Sequence, residues 1–238
     1  MKDNQQIVVL EEVTKIYRSN SHKSTGVKEI NLKSGKGELL LLLGPSGSGK
    51  STLLTLIAGL LEPTSGKVYL YNENVAEIRA KDLQQLRAEK VGFIFQTFLL
   101  IDSLTAIQNV ELVLKFAGMK RKYIKARASE LLNQFGLGQL AFKSSASLSQ
   151  GEKQRVAVAR AIANDADLIL ADEPTASLET KQGMMVIELL HDYAQKRNKC
   201  VIVASHDLRL KDNADRIIYL QDGEIIETYP KLNTDSID

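Results

Sequence analysis

The chain has 238 residues, and its 31 basic and 29 acidic side chains give a formal net charge of +2. This near-neutral balance disfavours a dedicated nucleic-acid binder, which concentrates basic side chains, so no nucleic-acid partner is expected. The hydrophobic share of 44% is typical of a folded chain, and the single cysteine excludes an internal disulfide and a cysteine zinc cluster.

The first third of the chain contains short apolar runs that predict strands, followed by one helix. The predicted strands cover residues 7–11, 30–32, 39–43 and 68–71. The third run is apolar throughout, which is typical of a strand buried on both faces of a parallel sheet. Leucine and isoleucine then recur at helical spacing, with Leu60 as the last member. No apolar run reaches the ~20 residues that a membrane-spanning helix needs.

The middle of the chain has helical periodicity, and strands return after it. Apolar stripes that begin at Ile107 and Ile124 predict two helices. Apolar strand runs follow at residues 168–171 and 200–204, with an amphipathic helix between them. An Asp-Gly pair at residues 222–223 predicts a hairpin near the end. The alternation of strands and helices predicts an α/β fold with a doubly wound, mainly parallel sheet and a helical insertion.

The sequence after the predicted strand at residues 39–43 matches the phosphate-binding pattern G-x-x-x-x-G-K-[ST]. The matching residues are Gly44, Pro45, Ser46, Gly47, Ser48, Gly49, Lys50 and Ser51, and Thr52 follows them. Glycines let backbone N–H groups face the phosphates, and the following helix adds its positive dipole end. Lys50 would reach the β- and γ-phosphates, and Ser51 would place a hydroxyl on Mg²⁺. The alternative is a glycine turn that only joins a strand to a helix.

Two carboxylates follow the apolar run at residues 168–171. Asp172 and Glu173 end this predicted strand, and ligands of open α/β sheets bind at the carboxyl ends of strands. Asp172 is the expected Mg²⁺ partner, and Glu173 could orient or deprotonate an attacking water. The alternative is a solvated acidic loop at the end of a strand.

A third pattern lies before the acidic strand. Residues 148–155 read Leu-Ser-Gln-Gly-Glu-Lys-Gln-Arg, which resembles the signature motif of ABC-type ATPases, usually L-S-G-G-Q. The resemblance implies contacts to ATP held by a second subunit through Ser149, Gln150, Gly151 and Glu152. From the residues alone, Ser149 and Glu152 form a capping box at a helix start, where free N–H groups can bind an anion. Gln150 and Glu152 depart from the usual Gly and Gln, whereas Gly151 is kept.

Other marks of the same family follow in its order along nearly the whole chain. Tyr17 resembles the aromatic residue that stacks on adenine, although it could equally be a packing residue. Gln96 resembles the glutamine of the coupling loop, and His206 resembles the switch histidine. Residues 176–179 occupy the place of the D-loop, with Glu179 where Asp is usual.

The resemblance implies a P-loop NTPase fold with an N-terminal antiparallel β subdomain and an inserted helical subdomain. One ATPase domain would span residues 1–238, with a nucleotide-binding core at 1–97 and 160–238 and the helical insertion at 98–159. The implied cofactors are ATP and Mg²⁺. The implied catalytic residues are Glu173, His206 and Gln96, and the implied metal ligands are Ser51, Gln96 and Asp172.

The resemblance also implies partners and a location. An ATPase of this kind would pair with a second ATPase subunit, in the simplest case a second copy of the chain. It would serve a separate transmembrane permease from the cytoplasmic face of the inner or plasma membrane. Residues 92–96 and 104–110 are similar to the group of lipoprotein-release, macrolide-export and glycolipid-export ATPases. Two alternatives stay open, the ATPase of an importer and an ABC-type ATPase that drives a soluble assembly such as iron–sulfur cluster building.

Overall fold

The computed structural model describes residues 5–19 and 22–230. The strands are β1 (Gln6–Ser19), β2 (His22–Gly35), β3 (Glu38–Leu43), β4 (Ser65–Leu70), β5 (Glu73–Asn74), β6 (Val91–Ile94), β7 (Leu168–Asp172), β8 (Cys200–Ser205), β9 (Arg216–Gln221) and β10 (Glu224–Pro230). The helices are α1 (Lys50–Ile57), α2 (Ala80–Lys90), α3 (Ala106–Phe116), α4 (Arg121–Gln134), α5 (Gln150–Ala161) and α6 (Thr180–Arg197). Within these described ranges, no helix is both long enough and apolar enough to cross a membrane.

The chain divides into two compact units, of which the first comprises Met1–Ile78 and Ile187–Asp238. In this unit β2, β1, β4 and β5 form an antiparallel sheet in that order. Strand β3 pairs in parallel with both β8 and β9, and β10 pairs with β9 antiparallel. Asp222 and Gly223 both have positive φ, as a two-residue type I′ hairpin requires. The pairings confirm the predicted antiparallel subdomain, the mainly parallel sheet and the hairpin.

The core of the first unit is built on β3. All the residues at 39–43 are buried, and so are those of β8 that pair with them. Because β3 has a strand on each side and both of its faces are covered, its sequence must be apolar throughout rather than alternating. The predicted strand at residues 39–43 is thereby confirmed.

Helix α1 is shorter than its apolar pattern predicts. The predicted stripe continued to Leu60, but the helix ends at Ile57. Gly59 adopts φ of 62°, a left-handed conformation that ends helices. Leu60 then lies outside the helix and is 50% exposed. The prediction that Leu60 belongs to the buried helical face was therefore wrong.

The second unit, Arg79–Val186, contains helices α2 to α5 and the parallel pair of β6 with β7. The two stripes predicted from Ile107 and Ile124 form the buried faces of α3 and α4. Helix α2 was not predicted, because none of its residues is buried and its sequence has no apolar stripe. The boundaries of the helical insertion, residues 98–159, stay a prediction.

We expect Gly92→Ala to lower the free energy of unfolding by about 1–3 kcal/mol, the range for overpacking an interior. A β-carbon on Gly92 of β6 would lie 2.0 Å from the carbonyl oxygen of Ala161, and backbone cannot swing aside as a flexible side chain can. Urea unfolding followed by circular dichroism measures the change. Gly151→Ala is the control, because its β-carbon would meet no atom closer than 3.6 Å. Equal losses of stability in both variants would contradict the prediction.

Candidate functional site

The glycine-rich loop of the first unit joins the buried end of β3 to the start of α1. Two of its glycines are required by close packing. A β-carbon on Gly44 would lie 2.1 Å from the carbonyl oxygen of Leu220, and one on Gly49 would lie 2.2 Å from that of Gly26. Gly49 also has φ of 103°, which is strained for any other residue. The fold therefore fixes the loop between β9, β2 and α1.

The outer part of the loop suits an anion. Gly47 has φ of 81°, yet a β-carbon there would meet nothing within 4 Å, so the loop is open at this point. Gly49 gives α1 no side-chain cap, so its first-turn N–H groups can point to an external acceptor. Deeper in the loop, the buried hydroxyl of Ser48 has no hydrogen-bond partner among the described residues. Unpaired donors beside a positive dipole end fit the phosphates of a nucleotide.

Lys50 is buried inside the loop. Its ammonium donates hydrogen bonds to the carbonyl oxygens of Gly44, at 2.7 Å, and Pro45, at 2.9 Å. Ser51 is exposed on the first turn of α1. Lys50 and Ser51 therefore begin α1, and their contacts with phosphate and Mg²⁺ stay predictions. Ser46, like Pro45, is exposed on the loop.

Tyr17 lies beside this segment. Its hydroxyl is 3.2 Å from the hydroxyl of Thr52, and the residue is 41% exposed. A β-carbon on Gly26 would lie 2.7 Å from the tyrosine ring, so only glycine lets the ring take this position. No pattern in the sequence marks Gly26, because the close approach arises from β2 folding against β1. Stacking of Tyr17 on adenine stays a prediction.

His206 leaves the sheet at the same edge as the phosphate loop. Strands β3 and β8 are parallel, with Leu43 opposite Ser205, so Gly44 and His206 follow directly at their carboxyl ends. His206 is exposed. The neighbouring Asp207 is paired with Arg209, whose hydrogen bonds hold the pKa of that carboxyl below its usual value.

The acidic pair of the second unit lies at the carboxyl end of β7. Ile94 of β6 pairs with Ala171 of β7, so Gln96 and the two carboxylates leave these strands at one edge. Asp172 and Glu173 are both buried, whereas Gln96 is exposed. Glu173 has φ of 47°, a left-handed conformation that costs a non-glycine residue free energy and often marks functional sites. A solvated acidic loop does not describe this buried pair.

The predicted capping box at the start of α5 is present. The Ser149 hydroxyl accepts a hydrogen bond from the N–H of Glu152 at 3.3 Å, and the Glu152 carboxylate accepts one from the N–H of Ser149 at 2.8 Å. The second bond is the main cause that lowers the pKa of Glu152 below its usual value. Gln150 is exposed. Glu152 therefore caps the N-terminus of α5. The glutamine that is usual in the family at this position could form the same capping box.

A strand, an open glycine loop and an uncapped helix that begins with Lys-Ser define a P-loop nucleotide-binding protein. Residues 27–176 match the family model described as ABC transporter. The chain belongs to the ABC transporter family, as an ATP-binding component that hydrolyses ATP.

Similar proteins and a similar solved structure are also ATP-binding proteins. The chain is 42% identical to the putative hemin import ATP-binding protein HrtA of Staphylococcus haemolyticus, over 91% of this chain and 97% of that protein. It is 39% identical to the macrolide export ATP-binding/permease protein MacB of Haemophilus ducreyi, over 93% of this chain and 32% of that protein. The cassette MJ0796 of Methanocaldococcus jannaschii, solved as a dimer bound to ADP and Pi, matches with a TM-score of 0.91 at 39% identity, covering 95% and 100% of the two chains.

These comparisons confirm the predicted family, the P-loop fold class and the ATPase activity. The roles assigned to individual residues stay predictions.

Proposed function

We propose that this chain hydrolyses ATP to power a separate membrane permease that exports its cargo or extracts a lipid or lipoprotein. The open phosphate loop with its uncapped helix supports the ATPase half of this proposal. The outward direction rests on the 39% identity to a protein named for macrolide export. That protein is named as ATP-binding and permease together, and this chain spans about a third of it, so a permease on a separate chain is part of the proposal.

The residues suit in-line attack of water on the γ-phosphate. The phosphates would be held by Gly47, Gly49, Lys50, Ser51 and Thr52. The adenine would stack on Tyr17. Mg²⁺ would neutralise charge on the transferring phosphoryl group. It prefers oxygen ligands, and the hydroxyl of Ser51, the amide of Gln96 and the carboxylate of Asp172 are of that kind. Glu173 would take the proton of the attacking water, and His206 would hold the water and the γ-phosphate.

The signature segment would complete the site of a second copy of the chain. Gly151 is not required by its own fold, because it lies in a helix and a β-carbon would meet only ordinary contacts, at 3.6 Å or more. Because packing within the chain does not require this glycine, its missing side chain suits the close approach of a ligand held by a second copy of the chain. The dimer of MJ0796 supports a pair of identical chains, in which two identical sites would lie at a two-fold interface.

An apolar groove in the second unit suits a helix of the permease. The groove has a volume of about 260 Å³, and its lining includes Phe95, Leu99 and Ile101. Arg160 donates hydrogen bonds of 2.6 Å to the carbonyl oxygens of Phe98 and Leu99, which fixes one wall. Leu99 is 55% exposed and Ile101 44% exposed. Exposed apolar side chains that line a groove with a fixed wall are typical of a binding site for an amphipathic helix.

We expect Ile101→Asp to abolish co-purification with the permease while the ATPase rate of the isolated chain stays unchanged. A carboxylate in this groove would have to be desolvated on docking, and the guanidinium of Arg160 is already held by two backbone carbonyls. The measurement is a tagged pull-down together with a phosphate-release assay. The control is Leu60→Asp, an equally exposed apolar position in the first unit. Loss of the permease in the control as well would contradict the assignment of the groove.

The test of the proposed function is a tagged pull-down from detergent-solubilised native cells, with every co-purifying chain identified. A stoichiometric membrane chain with four helices and a large extracytoplasmic domain is the expected result. A larger permease with a binding protein would instead support the importer alternative, for which the similarity to HrtA is the supporting observation. Recovery of only soluble partners would overturn the transporter proposal in favour of an assembly ATPase.

A further inference from the structure

A strongly basic segment runs from the second half of α3 into α4. Residues 112–129 contain no Asp or Glu. They contain six cations, Lys115, Lys120, Arg121, Lys122, Lys125 and Arg127. The whole chain has a net charge of only +2, so this segment holds a local excess that the rest of the sequence balances.

Two of the six cations are paired with a carboxylate of their own helix. Lys115 lies 4.0 Å from Glu111, and Arg127 lies 3.0 Å from Glu130. In the part of the chain that the structure describes, Lys120, Arg121, Lys122 and Lys125 form no ion pair. All four are exposed.

Helix stability does not explain this arrangement. Helix α4 begins at Arg121, with Lys120 as its N-cap and no acidic residue in its first turn. Cations at a helix N-terminus face the positive end of the helix dipole, which disfavours them. Helix α5, by contrast, has Glu152 in its first turn. The cations at the start of α4 therefore lower the stability of the helix, so a contribution to folding does not account for them.

Exposed aromatic rings lie among these cations. Tyr123 is 54% exposed and Phe142 is 69% exposed. The ammonium of Lys122 lies 4.7 Å from the centre of the Tyr123 ring, and that of Lys125 lies 5.7 Å from the centre of the Phe142 ring. These contacts join the start of α4 and the segment around Phe142 into one surface, where each ring has a cation beside it.

We propose that this surface binds anionic lipid headgroups at a membrane. We call it the basic aromatic patch, and it consists of Lys120, Arg121, Lys122, Tyr123, Lys125 and Phe142. Clustered cations are drawn to the negative surface of a bilayer, and aromatic rings and lysine stems lie at headgroup level. A nucleic acid is the less favoured occupant, because a nucleic-acid binder concentrates a larger excess of positive charge than this chain has. The binding itself requires neither ATP nor a permease.

The test is flotation of the full chain with phosphatidylcholine vesicles, with and without phosphatidylglycerol, in the absence of ATP and of other proteins. We expect binding only to the vesicles that contain phosphatidylglycerol, and loss of that binding at high salt. Each cation near an anionic surface strengthens partitioning by roughly fivefold. The triple variant K120Q/R121Q/K122Q should therefore partition roughly 100-fold more weakly.

Two further variants make the result specific. K67Q/K81Q/K211Q removes three exposed cations from elsewhere on the chain and should change partitioning by less than roughly threefold, because those cations lie outside the patch. Y123S/F142S keeps every charge and should still weaken binding, because the rings would no longer enter the interface. All three variants should keep the circular dichroism spectrum and the ATPase rate of the parent chain.

Three outcomes would overturn the proposal. The first is equal binding to neutral and anionic vesicles, and the second is no difference between the patch variant and its control. The third is binding to single-stranded RNA in preference to the vesicles at the same salt concentration, which would assign the surface to a nucleic acid. None of these outcomes depends on the pull-down, so the failure of the transporter proposal and the failure of this one are distinguishable.

Discussion

Replacing Glu173 with glutamine is expected to leave ATP binding intact and to reduce turnover by roughly 100- to 10,000-fold, the range for loss of a general base. The amide has the size and shape of the carboxylate but cannot take a proton from water. Glu173 is buried at the end of β7, in a left-handed conformation that glutamine adopts as readily as glutamate. Packing should therefore change little, and the loss should fall on the chemical step.

The measurement compares ATP affinity, from equilibrium dialysis with labelled nucleotide, with the rate of phosphate release. Glu188→Gln is the matched control, because it makes the same change at an exposed position of α6. The control should bind and hydrolyse ATP as the parent chain does. Turnover that survives in the Glu173 variant would remove this residue from the role of base, and a parallel loss of ATP affinity would give it a role in binding instead.

The parts of the fold that the sequence predicts well are those where one physical requirement determines the residues. Strand β3 is buried on both faces, so its residues must be apolar, and the pattern is visible without a structure. Helix α2 has no buried residue, so no stripe marks it. Helix α1 ends because Gly59 takes a left-handed conformation. The apolar spacing continues to Leu60, so the spacing alone does not show where the helix ends.

The functional site likewise has features that the sequence predicts and features that it does not. The phosphate loop is predictable because phosphate binding demands a fixed spacing of glycines, a lysine and a hydroxyl. The need for glycine at position 26 is not predictable, because it arises when the ring of Tyr17 from β1 lies over β2. The left-handed conformation of Glu173 is also absent from the sequence pattern. Spacing reveals groups that act on a ligand, whereas contacts between distant strands appear only in three dimensions.

Replacing Gly151 with aspartate is expected to abolish turnover while leaving the isolated subunit at least as stable as the parent chain. The added β-carbon has room, since it would meet nothing closer than 3.6 Å, and aspartate has a higher helix propensity than glycine. It would lie in the first turn of α5, where a carboxylate interacts favourably with the helix dipole, by about 0.3–1 kcal/mol. In the proposed dimer the same carboxylate would face the γ-phosphate of the partner's ATP, and a juxtaposition of like charges costs several kcal/mol.

Stability and activity should thus change in opposite directions, which separates a role at the dimer interface from a role in folding. Urea unfolding measures the first, and phosphate release with light scattering of the ATP-bound chain measures the second. Gln139→Asp is the control, because it adds the same charge at an exposed position of the second unit. A Gly151→Asp variant that dimerises and turns over normally would remove the signature segment from the proposed site. A variant that unfolds more easily would show instead that the glycine is needed by its own helix, which would withdraw the argument for a partner's phosphate at this position.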